Sequence, residues 1–123
     1  MAADFTINSA QTTENGGNTL DGSDMITVTT TGSISITSGS GIETSGDYNT
    51  VLVNGSISTT GRARLGILNK DNNNATTLTG SVTTSGASSF GITNQGDNNT
   101  STIIGDISTT ARISYGLENK GNE

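Results

Sequence analysis

The sequence of 123 residues contains no cysteine, histidine, proline or tryptophan. Without cysteine there is no disulfide, no thiolate metal site and no cysteine nucleophile. Without histidine, the Ser-His-Asp triad, the HExxH zinc motif and imidazole pH switches are all excluded. Because these absences remove most catalytic chemistry, we predict a protein that is not an enzyme, with no catalytic residue and no cofactor.

Positive charge is also scarce, since five basic residues stand against 11 acidic ones and the net charge is -6. Such a chain lacks an extended phosphate-binding surface, so nucleic acid is not expected as a partner. No apolar run approaches the ~18 residues that a membrane-spanning helix needs. The first residues, MAADFTIN, have neither the basic nor the apolar region of an export signal. The sequence therefore predicts no membrane-spanning segment in this chain.

Hydrophobic residues make up only 28% of the chain, whereas Thr, Ser, Asn and Gly together make up more than half. This composition is close to that of disordered proteins. A repeat nevertheless organises it, because a Gly-Ser-Ile-Ser motif and a Gly-Ile motif return every 23–25 residues. The motifs begin at Gly32, Gly55, Gly80 and Gly105, and at Gly41, Gly66, Gly91 and Gly116. We divide the chain into four repeats, 26–48, 49–73, 74–98 and 99–123, preceded by an irregular coil or cap over 1–25.

Apolar and polar residues alternate within each repeat, in three short bursts separated by turn residues. Alternation with a period of two is typical of β-strands. One such repeat cannot bury its apolar face alone, but similar repeats stacked about 4.8 Å apart can. The sequence therefore predicts an all-β fold, a parallel β-solenoid with three short strands per coil of 23–25 residues. The columns expected to fill its interior are Val28, Val53, Leu78 and Ile103; Ile34, Ile57, Val82 and Ile107; Leu65, Phe90 and Tyr115; and Ile42, Ile67, Ile92 and Leu117.

Two polar columns are also predicted to face inward, each two positions after an apolar column. One is a threonine column in which stacked hydroxyls are expected to form hydrogen bonds, and its members are Thr59, Thr84 and Thr109. The other is a ladder of asparagine amides that hydrogen-bond along the solenoid axis, and its members are Asn69, Asn94 and Asn119. The alternative is that asparagine stands there because it tolerates the left-handed backbone of a turn. Thr44 occupies the asparagine position in the first repeat, so the ladder is expected to stop there.

The repeats resemble the passenger repeats of bacterial autotransporters, the proteins of type V secretion. The segments that carry this resemblance are NTVLVNGSISTTGRARLGILNKDNN, ATTLTGSVTTSGASSFGITNQGDNN and STIIGDISTTARISYGLENKGNE, and the similarity covers residues 26–123. The resemblance implies a right-handed parallel β-helix that is exported and displayed at the cell surface. It also implies an adhesin-like virulence role, a host-cell or glycan partner, and an outer-membrane anchor outside this sequence.

Three arginines form a candidate contact surface. Arg62 and Arg112 lie at matching positions of their repeats, two strand spacings or about 10 Å apart, and Arg64 lies beside Arg62. This spacing suits contact with an anionic partner such as an acidic glycan or lipopolysaccharide. The alternative is a solvated charged face.

The acidic residues offer weaker candidates. Two adjacent turns, Lys70-Asp71-Asn72-Asn73 and Gln95-Gly96-Asp97-Asn98, bring together the carboxylate and amide oxygens that calcium prefers. The Gly-Gly-x-Gly-x-Asp nonapeptide of calcium-binding β-rolls is absent, so we interpret both segments as ordinary turns and assign no metal ligand. The other acids are scattered, whereas a tailspike-like glycan hydrolase requires carboxylates clustered on one face.

The outward positions of the second strand form an array of hydroxyls, interrupted by one carboxylate. They are Ser33, Ser35 and Thr37; Ser56, Ser58 and Thr60; Ser81, Thr83 and Ser85; and Asp106, Ser108 and Thr110. We expect a solvated β-surface, with binding of ice or polysaccharide as the alternative.

Our main hypothesis is a non-enzymatic structural or adhesive passenger fragment. The chain stops where the last repeat ends, from which we expect a piece of a longer array. Free backbone groups on its last coil then predict end-to-end self-association.

Overall fold

The computed structural model describes residues 2–122, so Met1 of the predicted cap and Glu123 of the last repeat lie outside the described residues. The strands, in chain order, are β1 (Asp4–Ile7), β2 (Ala10–Gln11), β3 (Met25–Val28), β4 (Ser33–Ile36), β5 (Ser40–Thr44), β6 (Thr50–Val53), β7 (Ser56–Thr59), β8 (Leu65–Asn69), β9 (Ala75–Leu78), β10 (Ser81–Thr84), β11 (Phe90–Asn94), β12 (Thr100–Ile103), β13 (Asp106–Thr109) and β14 (Tyr115–Asn119). A short 3-10 turn, Glu14–Gly17, follows β2.

The strands stack in three parallel sheets. Sheet A has the order β1-β3-β6-β9-β12, sheet B the order β2-β4-β7-β10-β13, and sheet C the order β5-β8-β11-β14. Each full coil gives one strand to each sheet, and the chain makes about five turns. The predicted all-β parallel β-solenoid with three short strands per coil is therefore confirmed.

The register repeats from coil to coil. In sheet C, and in sheet A from β3 onward, the paired residues lie 25 positions apart, as in Val28 opposite Val53 and Ile42 opposite Ile67. The pairing of β1 with β3 has an offset of 21 positions, as in Asp4 opposite Met25. In sheet B the first full coil is offset by only 23 positions, because its turn from sheet A to sheet B is two residues longer and its turn from sheet B to sheet C two residues shorter. The coil of the first repeat, 26–48, therefore keeps a period of 25 residues in sheets A and C, and differs from the next coil only in how its turn residues are divided between two turns.

A narrow core runs along the axis of the solenoid. Its fully buried side chains come from all three sheets, as the alternation predicts, and include Val28, Val53 and Leu78; Ile34, Ile57 and Val82; and Ile42, Ile67 and Ile92. On the last coil, Ile103 is 38% and Leu117 42% exposed. A few aliphatic side chains per coil suffice because the parallel ladders already satisfy the backbone donors and acceptors.

One predicted interior column lies on the outside instead. At Gly66 and Gly91 an added Cβ would overlap the core side chains Val82 and Ile107, so these glycines face inward. The strand pairing also skips the two glycines, which marks a local irregularity before Ile67 and Ile92. The preceding Leu65 and Phe90 therefore face outward, and the expectation that Leu65, Phe90 and Tyr115 fill the core was wrong.

The threonine column faces inward but does not form the expected hydrogen bonds. Thr59 and Thr84 are buried, and within residues 2–122 neither Oγ1 atom has a hydrogen-bond partner. Ile36 occupies the same column in the preceding coil, opposite Thr59. The threonines therefore act as small core residues, and their unpaired hydroxyls are a cost to stability.

The 3-10 turn closes the first edge of sheet C. The side-chain amide of Asn15 donates to the carbonyl of Glu43 over 3.0 Å, and the Glu43 N–H donates to Asn15 Oδ1 over 2.8 Å. The carboxylate of Glu14 accepts the N–H of Ser40. Two side chains thus satisfy backbone groups that a neighbouring strand would otherwise pair, which protects this edge from another chain.

Candidate functional site

The predicted asparagine ladder lies inside the solenoid at the end of sheet C. Asn69 Nδ2 donates to Asn94 Oδ1 over 2.8 Å, and Asn94 Nδ2 donates to Asn119 Oδ1 over 2.6 Å. The Nδ2 groups of Asn69 and Asn94 also donate to Thr76 Oγ1 and Ser101 Oγ, which face inward from sheet A. The ladder therefore ties coil to coil and sheet C to sheet A.

Thr44 extends this ladder rather than interrupting it. Its hydroxyl donates to Asn69 Oδ1 over 3.1 Å, so the expectation that the ladder stops at Thr44 was wrong. A hydroxyl can donate the single hydrogen bond that Asn69 Oδ1 accepts from this side. Thr44 thus provides the first donor of the chain Thr44, Asn69, Asn94 and Asn119.

A second ladder, which the sequence analysis missed, lies where sheet C turns into sheet A. In this corner ladder a side-chain oxygen accepts the backbone N–H of the equivalent residue one coil earlier. The four bonds are Ala3 N to Asp24 Oδ1 (2.8 Å), Asp24 N to Asn49 Oδ1 (3.0 Å), Asn49 N to Asn74 Oδ1 (2.7 Å) and Asn74 N to Asn99 Oδ1 (2.8 Å). The recurrence of Asp or Asn every 25 residues was the available signal.

A third ladder runs along the exposed tips of the same turns, in the opposite direction. Asn72 N donates to Asp47 Oδ1, Asp97 N to Asn72 Oδ1 and Asn122 N to Asp97 Oδ1, each over 2.8 Å. Asp71 Oδ2 accepts the N–H of Gly46 over 2.7 Å. The turn carboxylates thus accept backbone N–H groups of neighbouring coils. Within residues 2–122 no group of three acidic side chains is placed to hold a metal ion.

Two titratable groups have perturbed pKa values with clear causes. The backbone N–H groups of Asp21 and Ala3 donate to the buried Asp24 carboxylate and hold its pKa below the usual range, against the opposing effect of burial. Lys70 pairs with Glu43 over 2.6 Å on the outside of sheet C, and this hydrogen bond raises the pKa of Lys70. The first perturbation arises within the corner ladder, and the second arises from an ion pair on the partly exposed outer side of sheet C.

The three arginines lie together in the turns that lead from sheet B to sheet C. Arg62 and Arg112 are exposed and Arg64 is half-buried, with its backbone N–H donating to Ser89 Oγ in the next coil. None of the three forms an ion pair within residues 2–122, whereas both lysines pair with glutamates, Lys70 with Glu43 and Lys120 with Glu118. We call this surface the arginine corner.

The outward-facing column of Leu65, Phe90 and Tyr115 directly follows in sequence the turns that lead from sheet B to sheet C, where the arginines lie. The rings of Phe90 and Tyr115 stack with centroids 5.3 Å apart and planes 3° from parallel, one coil above the other. Tyr115 is 54% and the neighbouring Ile113 68% exposed. Aromatic and aliphatic groups thus adjoin guanidinium groups, a combination suited to an amphipathic anionic partner.

The hydroxyl array lies on the outward face of sheet B as predicted. Ser33, Ser56, Ser81 and Asp106 pair in one row of the register, and Ser35, Ser58, Thr83 and Ser108 pair in another. A second array, absent from the sequence analysis, lies on the outward face of sheet A. Its central row, by the same pairing, is Thr6, Thr27, Leu52, Thr77 and Thr102.

Comparison with protein-family models, with curated proteins and with solved structures gives no match to this chain. Among the residues that the structure describes, no helix has the length and apolar character needed to cross a membrane.

Proposed function

We propose that this chain is a rigid, non-enzymatic module of a bacterial cell surface, which acts as a stalk and as an adhesive surface. The resemblance of residues 26–123 to autotransporter passenger repeats supports export and an outer-membrane anchor outside this sequence. The observation that carries the proposal is the set of three side-chain ladders, because the recurring Asp and Asn residues are used to join coil to coil. Such cross-linking favours length and stiffness.

The adhesive contact of this proposal is the arginine corner. Guanidinium groups bind carboxylates and sulfates with paired hydrogen bonds, and they lose less hydration free energy on contact than an ammonium does. Arg62 and Arg112 lie two coils apart, about 10 Å, so they can contact successive charges of one extended chain. The stacked Phe90 and Tyr115 add apolar contact beside them. An acidic polysaccharide combines these features, and we propose it as the ligand class.

Binding of the 123-residue chain to immobilised polygalacturonate, with neutral dextran as reference, tests this proposal. The double variant Arg62→Ser with Arg112→Ser should no longer be retained on polygalacturonate. The double variant Lys70→Ser with Lys120→Ser, which removes the same amount of charge, should bind as the wild type does. Wild-type retention should also fall with added salt. Equal loss in both double variants would contradict a specific arginine corner, and release of reducing sugar ends would contradict a non-enzymatic role.

A further inference from the structure

The outward face of sheet A carries almost no charge. Of the ten outward strand positions only Asp4, on the first strand, is charged; the others are Thr6, Met25, Thr27, Thr50, Leu52, Ala75, Thr77, Thr100 and Thr102. The outer side of sheet C, by contrast, carries Glu43, Lys70, Glu118 and Lys120. The charged residues that the structure describes thus lie almost entirely off this face.

Threonines occupy six of these ten positions and form a two-dimensional lattice that Met25, Leu52 and Ala75 interrupt. Along the axis Thr77 lies opposite Thr102, one strand spacing of about 4.8 Å away. Along β12, Thr100 and Thr102 point the same way, about 6.6 Å apart. Each threonine has a branched Cβ, which restricts its χ1 angle, so the lattice of methyl and hydroxyl groups is rigid before any ligand arrives.

The hydroxyls of the central row remain available to solvent. In the neighbouring row, by contrast, the threonine hydroxyls are used within the protein. The Thr29 hydroxyl donates to the Ile7 carbonyl, and the Thr79 hydroxyl has the Val53 carbonyl and Asn54 Oδ1 as alternative acceptors for its single proton. Thr27, Thr77 and Thr102 make no such bond to the part of the chain that the structure describes, and all three are at least partly exposed, so their hydroxyls can hydrogen-bond to water.

We propose that the outward face of sheet A binds ice. From β3 onward the outward strand positions of this face carry no charge, and such a lattice of hydroxyl and methyl groups orders the water in contact with it. Water ordered in this way joins a growing ice surface without first being displaced. The face carries no aromatic ring on its outward strand positions, which favours ice over a polysaccharide surface. The sheet B face is the less suitable one, because its outward positions from β4 to β13 are mostly serines, which lack the methyl group of threonine, and Asp106 lies in one of its rows.

Partition into slowly growing ice tests this proposal directly. The matched variants are Thr77→Lys on sheet A and Thr83→Lys on sheet B, which alter two partly exposed threonines of the same coil. The wild type and Thr83→Lys should enter the ice, and circular dichroism should report the same fold in all three proteins. Thr77→Lys should enter about tenfold less, since desolvating one ammonium costs more than the ~1.4 kcal/mol that equals a tenfold change.

Three results would overturn the proposal. Exclusion of the wild type from ice to the same extent as an unrelated protein would refute ice binding. Equal partition of wild type and Thr77→Lys would show that the sheet A face does not contact ice. Loss of partition in Thr83→Lys alone would show that the sheet B face is the one that binds ice. None of these results bears on retention by polygalacturonate, because Thr77 is not part of the arginine corner.

Discussion

Asn69 donates its side-chain amide to Oδ1 of Asn94 over 2.8 Å, inside the solenoid and across two neighbouring coils. Both residues are buried. A buried amide costs free energy unless its hydrogen bonds are formed, and a stacked amide one coil away satisfies it only if the coils are in register. The ladder therefore both stabilises the stack and disfavours slipped pairings.

Asn69→Ala should lower the free energy of unfolding by about 3 kcal/mol, because it leaves Asn94 Oδ1 and the Thr44 and Thr76 hydroxyls without their partner in the core. Chemical denaturation followed by circular dichroism measures this. Asn119→Ala, at an exposed position of the same ladder, should cost less than about 1 kcal/mol. Similar costs at the two positions would show that burial of the ladder is not the source of its stability.

Gly91→Ala should destabilise the protein by about 2 kcal/mol, since the added methyl overlaps Ile107 and the Gly116 carbonyl. Gly116 is the matched control, because a Cβ there lies 3.6 Å from Ile107 Cγ2, an ordinary contact. Gly116→Ala should be neutral or slightly stabilising. If Gly91→Ala were tolerated equally well, the inward orientation of this glycine would be wrong, and with it the outward position of Phe90.

Thr84→Val should stabilise the protein by about 1 kcal/mol, because it replaces a buried hydroxyl that has no partner within residues 2–122. Ile36 already occupies this column two coils away, so an aliphatic side chain is compatible with it. Thr83→Val, on the outside of the same strand, should change the midpoint of thermal unfolding little. A loss of stability in Thr84→Val would reveal a hydrogen bond at this hydroxyl.

Asp24 should make stability depend on acid pH. Its folded pKa lies below the unfolded value of about 3.9, so the unfolded state binds more protons between the two values. Stability from this group is complete above the unfolded pKa and is lost as the pH falls through the folded pKa. The difference in unfolding free energy between wild type and Asp24→Asn, measured from pH 7 downward, should therefore shrink below about pH 4. A difference that stayed constant with pH would contradict the charged role of Asp24.

The fold could be predicted from the sequence because the repeat places residues of the same type at equivalent positions of neighbouring coils. Ile57 and Val82, or Ile67 and Ile92, could be assigned to the core from alternation alone. Alternation failed at Leu65 and Phe90, where an inward glycine shifts the phase of the strand by one residue. No polarity pattern reports such a shift.

The surfaces were less accessible to sequence reasoning. The sequence pattern assigned no role to Asn49, Asn74 and Asn99, and only the structure shows that their side chains accept backbone N–H groups of the preceding coil. Leu52 interrupts the threonine row of sheet A, so the row becomes evident only when the strand pairing is known. A serine-rich row in sheet B was easier to recognise because it belongs to the repeated motif.

The coils stack with like residues opposite each other, and the proposed binding groups lie on the outward columns of that stack. Because the chain has no cysteine, paired substitutions test this without background. Ser58 and Thr83 lie opposite each other on neighbouring strands, about 4.8 Å apart, which fits a disulfide. Ser58→Cys with Thr83→Cys should oxidise to an intrachain disulfide, detected as the loss of two hydrogens by mass spectrometry. Ser58→Cys with Ser81→Cys, two residues out of register, should stay reduced, and faster oxidation of that pair would contradict the register and the surfaces built on it.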